Sequence, residues 1–124
     1  MAQSITYARL TPDASGESHF VPLEISVTMR TFAPPAPPFG VSELTPASQC
    51  CFLFVPRGFA GELHPSPMRM WIFFLSGEME FEASDGECRR CVPGDAILLE
   101  DTTGKGHLSR VVSDSAAVLA AVRV

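Results

Sequence analysis

Proline and glycine punctuate this chain at intervals too short for long helices. The 124 residues include 11 prolines and 9 glycines, which fall between short runs of strand-forming residues. No segment keeps a helical period over more than two turns, whereas short strands between regularly spaced turn residues are typical of an all-β sandwich or barrel. We therefore predict an all-β fold, and a chain of this length forms one domain around one core.

The stretch from Gly61 to His107 has the clearest strand pattern. Residues 71–75 are continuously apolar, and residues 78–83 alternate between apolar and glutamate side chains, as expected of a half-buried strand. The apolar side chains that share one face are Met79, Phe81 and Ala83. Asp85-Gly86 predicts a two-residue hairpin turn in which both central residues take a positive φ. An apolar strand at 96–99 then leads through a glycine-rich loop to His107.

Strands are also predicted on both sides of this stretch. They cover residues 5–10, 19–32, 41–44, 49–55, 108–112 and 116–124. Pro22 has no N–H to donate to a neighbouring strand, so the strand that contains it is expected at a sheet edge. His19 has no partner near it in the sequence and is predicted to be an ordinary surface histidine.

Residues 33–40 form a proline-rich segment. Four prolines in the five positions from Pro34 to Pro38 impose an extended conformation and exclude a helix. One interpretation is a stiff surface connector. The other is an arm that lies across a partner subunit or over the mouth of a pocket, with Phe39 as its apolar anchor.

The charge and hydropathy of the chain argue against two classes of partner. The net charge is −5 and the sequence pI is about 5.0, with no basic cluster that would contact nucleic acid phosphates. The amino end, MAQSITYARL, lacks the basic start and apolar core of a signal peptide, and no run reaches the roughly 18 apolar residues of a membrane span. We expect a soluble cytoplasmic protein without a nucleic acid or membrane partner.

Four cysteines raise the question of a disulfide or a zinc site. Cys50 and Cys51 are neighbours on one predicted strand, and Cys88 and Cys91 are three apart on another, so within each pair the side chains point to opposite faces. A zinc knuckle needs two thiolates that converge from a turn. Reduced thiols are therefore expected, as in most cytosolic proteins, and a redox pair is the alternative.

Several short motifs together resemble the small single-domain cupins. They are FFLSGE at 73–78, the Asp85-Gly86 hairpin, VPGD at 92–95 and GKGH at 104–107, within a likeness that covers about residues 58 to 112. The resemblance implies a double-stranded β-helix, or jelly-roll barrel, of a kind that is commonly dimeric and usually holds a divalent metal inside. We then expect one cupin-like domain over 1–124. Its N-terminal strands and extended proline-rich arm would occupy 1–47, and the barrel core with both cupin motifs would occupy 48–124.

The same resemblance implies positions for a metal site. The first histidine of the family's first motif falls on His64, its second on Ser66 and its glutamate on Met70, and the histidine of the second motif falls on His107. Two imidazoles alone rarely hold a metal against water, since tight sites have at least three protein ligands. Glu62 is two residues before His64, so on a strand its carboxylate would share the face of that ring and complete a set for one divalent transition metal.

Strand alternation extends this site into the barrel. If Met70 takes the inward place of the family's glutamate, Ile72 and Phe74 also face inward. The ligand pocket is therefore predicted from His64, Ser66, Met70, Ile72, Phe74 and His107. The alternate side chains of Trp71, Phe73 and Leu75 would then face outward. Three large apolar groups on one strand are too much to leave in water, so we predict a homodimer that covers them.

Two functions fit these expectations. The first is a cupin-fold protein that binds a small organic ligand inside the barrel without a metal, and it is favoured because two of the four family ligand positions are lost. The alternative is a metal-dependent cupin enzyme, of dioxygenase or isomerase type, that uses His64 and His107 as metal ligands. The sequence leaves open whether the protein is an enzyme. A third interpretation is a pair of hydrogen-bonded histidines without chemistry.

Four charged residues near these positions allow two interpretations each. Arg69 and Arg110 would anchor a carboxylate or phosphate if they faced the pocket, although arginines on such strands are more often solvated. Glu100 and Asp101, before the glycine-rich loop, either only shape its turn or place an ionised carboxylate near His107 that orients the ring and raises its basicity.

Overall fold

The computed structural model describes residues 3–124, so the first two residues of the predicted domain 1–124 lie outside the described part. None of residues 3–124 is helical, and accordingly no helix among them could cross a membrane. Regular structure in this described range consists of ten strands: β1 Gln3–Pro12, β2 Ser18–Arg30, β3 Phe39–Val41, β4 Gln49–Val55, β5 Met70–Ser76, β6 Met79–Ala83, β7 Cys88–Cys91, β8 Ala96–Leu99, β9 His107–Val111 and β10 Ala117–Arg123.

The strands pair into two sheets that pack around one core. The larger sheet has the order β3-β2-β1-β8-β5-β10-β4, and the smaller has the order β7-β6-β9. β1 runs parallel to β8, whereas the other strand pairs are antiparallel. Neighbours that are distant in sequence, such as β1 and β8 or β5 and β10, mean that the chain crosses over between strands, as in a jelly roll. The predicted all-β jelly-roll fold is confirmed.

Strand alternation supplies the core between the sheets. The buried side chains of β5 and β6 are Met70, Ile72, Phe74, Met79, Phe81 and Ala83. The rings of Phe74 and Phe81 meet edge to face across the core, with centroids 5.7 Å apart. Phe73 and Leu75 are exposed on the other face of β5. The predicted inward and outward faces of these two strands are confirmed.

The hairpin between β6 and β7 is not the predicted two-residue turn. The backbone N–H of Gly86 donates to the carbonyl of Ala83 at 3.0 Å, and the N–H of Ala83 donates to the carbonyl of Glu87 at 2.9 Å. Gly86 has a φ of 95°, and no non-glycine residue within 3–124 has a positive φ. The connection is therefore a three-residue loop over 84–86 between the paired residues Ala83 and Glu87, a hairpin form in which only the last loop residue needs a positive φ.

Strand bounds agree with the sequence prediction in the apolar runs and shift elsewhere. β4 and β8 begin and end where predicted. β3 is Phe39–Val41 rather than 41–44, because it pairs with Thr28–Arg30 at the end of β2. Since β3 reaches no further along β2, Pro22 has a strand partner only on the β1 side. The sequence prediction of an edge position for Pro22 therefore holds locally.

All four cysteines are free thiols. Cys88 is exposed and Cys91 is buried, so the two side chains leave opposite faces of β7 as predicted. Burial raises the pKa of the Cys91 thiol to about 12. Partial desolvation by its neighbours, followed by a hydrogen bond to Glu82, raises the pKa of the exposed Cys88 thiol. A raised pKa disfavours the reactive thiolate form at both positions, so the structure gives no support to a redox pair.

Candidate functional site

His64 and His107 lie side by side although 43 positions separate them in the sequence. Each donates its backbone N–H to the carbonyl of the other at 2.9 Å, which makes an antiparallel bridge between the segment before β5 and the start of β9. Residues that exchange both bonds face each other directly and project to the same side. Their ring centroids are 5.0 Å apart. The predicted proximity of the two imidazoles is confirmed.

Gly106 makes this close approach possible. It has a φ of 77°, and a Cβ at this position would lie 1.9 Å from the carbonyl oxygen of His64. Any side chain would collide with backbone, which has no flexible end to move aside. Gly106, the second glycine of the GKGH motif, is thus needed for the short distance between the two histidines.

A buried carboxylate holds the ring of His107. Asp101 follows β8 and is 0% exposed, and its Oδ2 lies 2.6 Å from Nδ1 of His107, which is 4% exposed. An ionised carboxylate only accepts hydrogen bonds, so Nδ1 of His107 donates the proton and the ring is held in one orientation. Of the two roles considered for Asp101 from the sequence, the structure therefore supports orientation of His107. Asp101 Oδ1 is enclosed and has no hydrogen bond from residues 3–124.

A backbone carbonyl holds the ring of His64. Nδ1 of this exposed histidine lies 2.8 Å from the carbonyl oxygen of Glu62, so Nδ1 donates and Nε2 is the free nitrogen. Nε2 of His107 likewise has no hydrogen bond from residues 3–124. This nitrogen is not fully enclosed, although the residue as a whole is only 4% exposed. Two imidazoles are therefore fixed at Nδ1 and free at Nε2.

Glu62 does not complete a metal site. It contributes its backbone carbonyl to His64, and within residues 3–124 no three His, Cys, Asp or Glu side chains are grouped to hold a metal ion. The sequence argument assumed a continuous strand through Glu62 and His64. In the structure His64 forms only an isolated bridge, so strand alternation does not bring the Glu62 carboxylate to the ring.

The other four predicted pocket residues lie in two different environments. Ser66 is buried, and it donates its N–H to the Asp101 carbonyl at 2.9 Å and its hydroxyl to the Met68 carbonyl at 2.7 Å. Met70, Ile72 and Phe74 belong to the packed core below the two histidines. Two surface grooves, of about 200 and 970 Å³, are lined by residues other than these six. Contact between a ligand and the six residues stays a prediction.

The two arginines are paired with carboxylates. Arg69 pairs with Glu100, with Nε 3.1 Å from Oε2. Arg110 lies on the small sheet among Glu80 and Glu82, and its Nε donates to Glu80 at 2.9 Å. Both side chains are therefore engaged in surface ion pairs, the more common of the two roles considered for them.

His19 is not an isolated surface histidine, and this sequence prediction is wrong. Its Nε2 lies 2.7 Å from Oδ2 of Asp13, and its Nδ1 lies 2.9 Å from Oδ2 of Asp85. Asp85 is 66 residues away in the sequence and reaches His19 only because the β6–β7 hairpin folds against the β1–β2 turn. Asp85 was therefore invisible to a search of the local sequence, whereas Asp13 is only six residues away and was overlooked.

Comparisons with known proteins support the fold and leave the chemistry open. No family model matches the sequence, and no curated protein matches it. Among solved structures, the chain is similar to the cupin domain of Cnp3 from Schizosaccharomyces pombe, with a TM-score of 0.50 and 13% sequence identity. That alignment covers 98% of this chain and 83% of the other. The predicted cupin-type fold is confirmed, whereas identity this low carries no function from one protein to the other.

Proposed function

Because this chain has a cupin-type fold, we propose that it binds a small organic ligand at the rim of the barrel through His64 and His107. One observation carries the proposal: two adjacent imidazoles are each anchored at Nδ1, and their Nε2 atoms have no hydrogen bond from residues 3–124. Preorganised polar groups that converge without satisfying one another are typical of binding sites.

The chemistry of the two rings suggests the class of ligand. A neutral imidazole that donates through Nδ1 has a lone pair on Nε2 and accepts a hydrogen bond there. A ligand with hydrogen-bond donors, such as an amine, alcohol or amide, would therefore match the pair. The ring of Phe81 stacks on that of His107, with centroids 5.5 Å apart, and gives the site an apolar side. The ligand is thus expected to be small and partly apolar.

Asp101 supports a functional role for His107. A buried carboxylate is costly to desolvate, and one hydrogen bond to a ring offsets only part of that cost. An apolar residue of similar size would be expected at such a position if stability alone mattered. Orientation of His107 is a role for which the carboxylate is needed.

A thermal shift screen tests this proposal. Metal-free protein is melted with a panel of small amines, alcohols and amides, because a ligand present at about one hundred times its Kd stabilises the folded state by about 2.7 kcal/mol. We expect His64→Ala and His107→Ala to abolish the shift given by a stabilising compound. Arg69→Ala, which changes an exposed residue of the nearby Arg69–Glu100 ion pair, serves as the control and should keep it.

The result from His64→Ala is decisive for that screen. This residue is exposed, so the variant is expected to fold, whereas His107→Ala leaves buried Asp101 without its partner. A stabilising compound whose shift is unchanged in His64→Ala would contradict the proposal.

A metal-dependent enzyme is the second candidate, and one observation favours it. Metal-binding histidines usually donate their other ring N–H to a carboxylate or carbonyl, as His107 and His64 do. The residues present nevertheless supply two ligands rather than the three of a tight site, so they do not fit a firmly held metal. Elemental analysis and metal titration test this candidate. Less than about 0.1 equivalents of transition metal, with no uptake on titration, would remove it.

We also propose that two copies associate through the outer face of the larger sheet. Trp71 and Phe73 stack there with ring centroids 5.8 Å apart, and Tyr7 meets Trp71 at 6.1 Å, beside the groove of about 970 Å³. Phe52 and Phe54, on the edge strand β4, are 76% and 75% exposed. An apolar surface of this extent is typical of a protein–protein contact.

Sedimentation measurements test the association. The wild type is expected to have the mass of two chains, and Phe73→Glu that of one, because a charge would be buried in the contact. Val112→Glu is the matched control, since Val112 is similarly exposed but follows β9 of the small sheet. Wild-type protein with the mass of one chain at micromolar concentration would contradict the proposal.

A further inference from the structure

His19 is bound at both ring nitrogens by carboxylates from two different turns. Asp13 belongs to the turn between β1 and β2, and Asp85 belongs to the turn between β6 and β7. A neutral imidazole has only one N–H, so both hydrogen bonds form together only when the ring carries two protons. The ring then joins the two turns through one positive charge.

The Asp13 carboxylate is itself fixed within its turn. Its Oδ1 accepts hydrogen bonds from the N–H of Ser15 at 2.8 Å, from the Ser15 hydroxyl at 2.6 Å and from the N–H of Glu17 at 3.1 Å. Any movement of Asp13 relative to His19 is therefore transmitted to residues 13–17 as a unit.

The same turn holds the loop that leads to His107. The carbonyl of Gly16 accepts the N–H of Lys105 at 2.9 Å, and Glu17 pairs with the Lys105 ammonium at 2.8 Å. Ser18 donates its hydroxyl to the carbonyl of Gly106 at 2.6 Å. Gly106 is the residue before His107, so the position of this loop sets the position of the ring.

A reciprocal pair of serines completes the connection. The N–H of Ser18 donates to the Ser84 hydroxyl at 2.7 Å, and the N–H of Ser84 donates to the Ser18 hydroxyl at 2.7 Å. Residues 13–19, 84–86 and 104–106 thus form one connected group at this end of the barrel, which we call the turn cluster. The His19 ring links two of its three segments, because it contacts Asp13 in the first and Asp85 in the second.

We propose that His19 is a proton-dependent latch on the turn cluster, which holds the loop before His107 in place when both ring nitrogens are protonated and loosens that loop when one proton is lost. The proposal rests on the proposed function in one respect, since the loop belongs to the His64–His107 site. Loss of a proton breaks the hydrogen bond between the ring and one of the two carboxylates and removes the positive charge between them.

The direction of the pH effect follows from the groups that face His19. Hydrogen bonds to Asp13 first and to Asp85 second raise the pKa of His19 above its ordinary 6.5. The other charged groups next to this pair are Glu17 and Lys105, which neutralise each other. A group with a raised pKa in the folded state contributes stability below its unfolded pKa and loses it as the pH rises through the folded value. The latch is therefore closed below pH 6.5 and opens on the alkaline side.

NMR titration of the whole chain between pH 5.5 and 8.5 tests the latch. The amide signals of Lys105 and Gly106 are expected to shift with the same midpoint as the His19 ring, above pH 6.5. Asp85→Asn should lower that midpoint because it removes a facing negative charge. At pH 6 it should also speed exchange of the Lys105 amide about two- to fivefold, in the range that one exposed charge pair supports.

Two further variants make the result decisive. His19→Gln should abolish the shared titration of the two loop amides. Arg69→Gln breaks a comparable exposed ion pair with Glu100, and it should leave the His19 midpoint and the loop amides unchanged. Loop amides that do not follow His19, or a midpoint that is unaltered by Asp85→Asn, would overturn the proposal.

Failure of the latch and failure of the proposed function give different results. The latch is judged from the amides of Lys105 and Gly106 without any added compound. The proposed function is judged from the thermal shift in His64→Ala, so either conclusion can fail while the other stands.

Discussion

His19 and His107 each contact a carboxylate at hydrogen-bond distance, yet they leave different chemistry available. His19 uses both ring nitrogens within the protein and lies in a half-exposed position between two turns. His107 is buried, and within residues 3–124 its ring bonds through Nδ1 alone, so Nε2 lies without a hydrogen bond beside a second imidazole. The proposed ligand site therefore rests on a ring that is held at one nitrogen and, within the described residues, unpaired at the other, whereas a charged neighbour does not distinguish His107 from His19.

The substitution Gly106→Ala should have the largest effect on stability. A Cβ would lie 1.9 Å from the His64 carbonyl, so we expect a loss of about 4 kcal/mol in the free energy of unfolding, or no folding. Gly86→Ala is the matched control, because Gly86 also has a positive φ but has nothing within 4 Å of a Cβ, and it should lose only about 1 kcal/mol. Urea unfolding measures both, and equal losses would contradict the role of Gly106.

Asp101→Ala should produce the next largest effect. The change leaves the Nδ1 proton of buried His107 unpaired, at an expected loss of about 2 kcal/mol in the free energy of unfolding. Asp85→Ala removes the corresponding partner of His19 and should cost less, because water replaces it at a half-exposed ring. Urea unfolding at pH 7 compares the two. A larger loss in Asp85→Ala would mean that burial does not distinguish the sites.

The contribution of His19 to stability should depend on pH. The pKa of His19 is raised, so the stability of the wild type over His19→Gln should be greatest below pH 6.5 and should fall as the pH rises through the folded pKa. The free energy of unfolding of both proteins is measured at pH 6 and at pH 9. The contributions of the other ionisable groups largely cancel in the difference between wild type and variant. If the stability difference between the two proteins is constant with pH, His19 binds protons equally in the folded and unfolded states, and the prediction is wrong.

His64→Gln should have the smallest effect on stability. His64 is exposed, and within residues 3–124 its side chain bonds only the Glu62 carbonyl, so the loss should stay within about 0.5 kcal/mol. Ligand-induced stabilisation should nevertheless disappear, since the second Nε2 acceptor is lost. Normal melting with retained ligand response would place the ligand elsewhere.

The fold was readable from the sequence because its strands follow simple alternation. Met70, Ile72 and Phe74 alternate with outward residues on β5, and the apolar runs of β4 and β8 have clear polar boundaries. The hairpin at Asp85-Gly86 was harder, since this dipeptide fits both a two-residue loop with two positive φ values and a three-residue loop with one.

The site was readable only in part. The pairing of His64 with His107 followed from motif positions, but the failure of Glu62 to join them did not, because it depends on the absence of a regular strand at 62–64. The contact of His19 with Asp85 depends on two turns meeting in space. Such contacts between distant segments leave no local pattern in one sequence.

NMR of the histidine side chains is the most direct test of the central claim. The compound that stabilises the metal-free protein is added while the ring nitrogens of the three histidines are observed. We predict that His64 and His107 are protonated at Nδ1 without ligand, that their Nε2 signals both move on addition, and that His19 does not. A compound that moves only His19, or leaves both Nε2 signals in place, would contradict a ligand site at this pair.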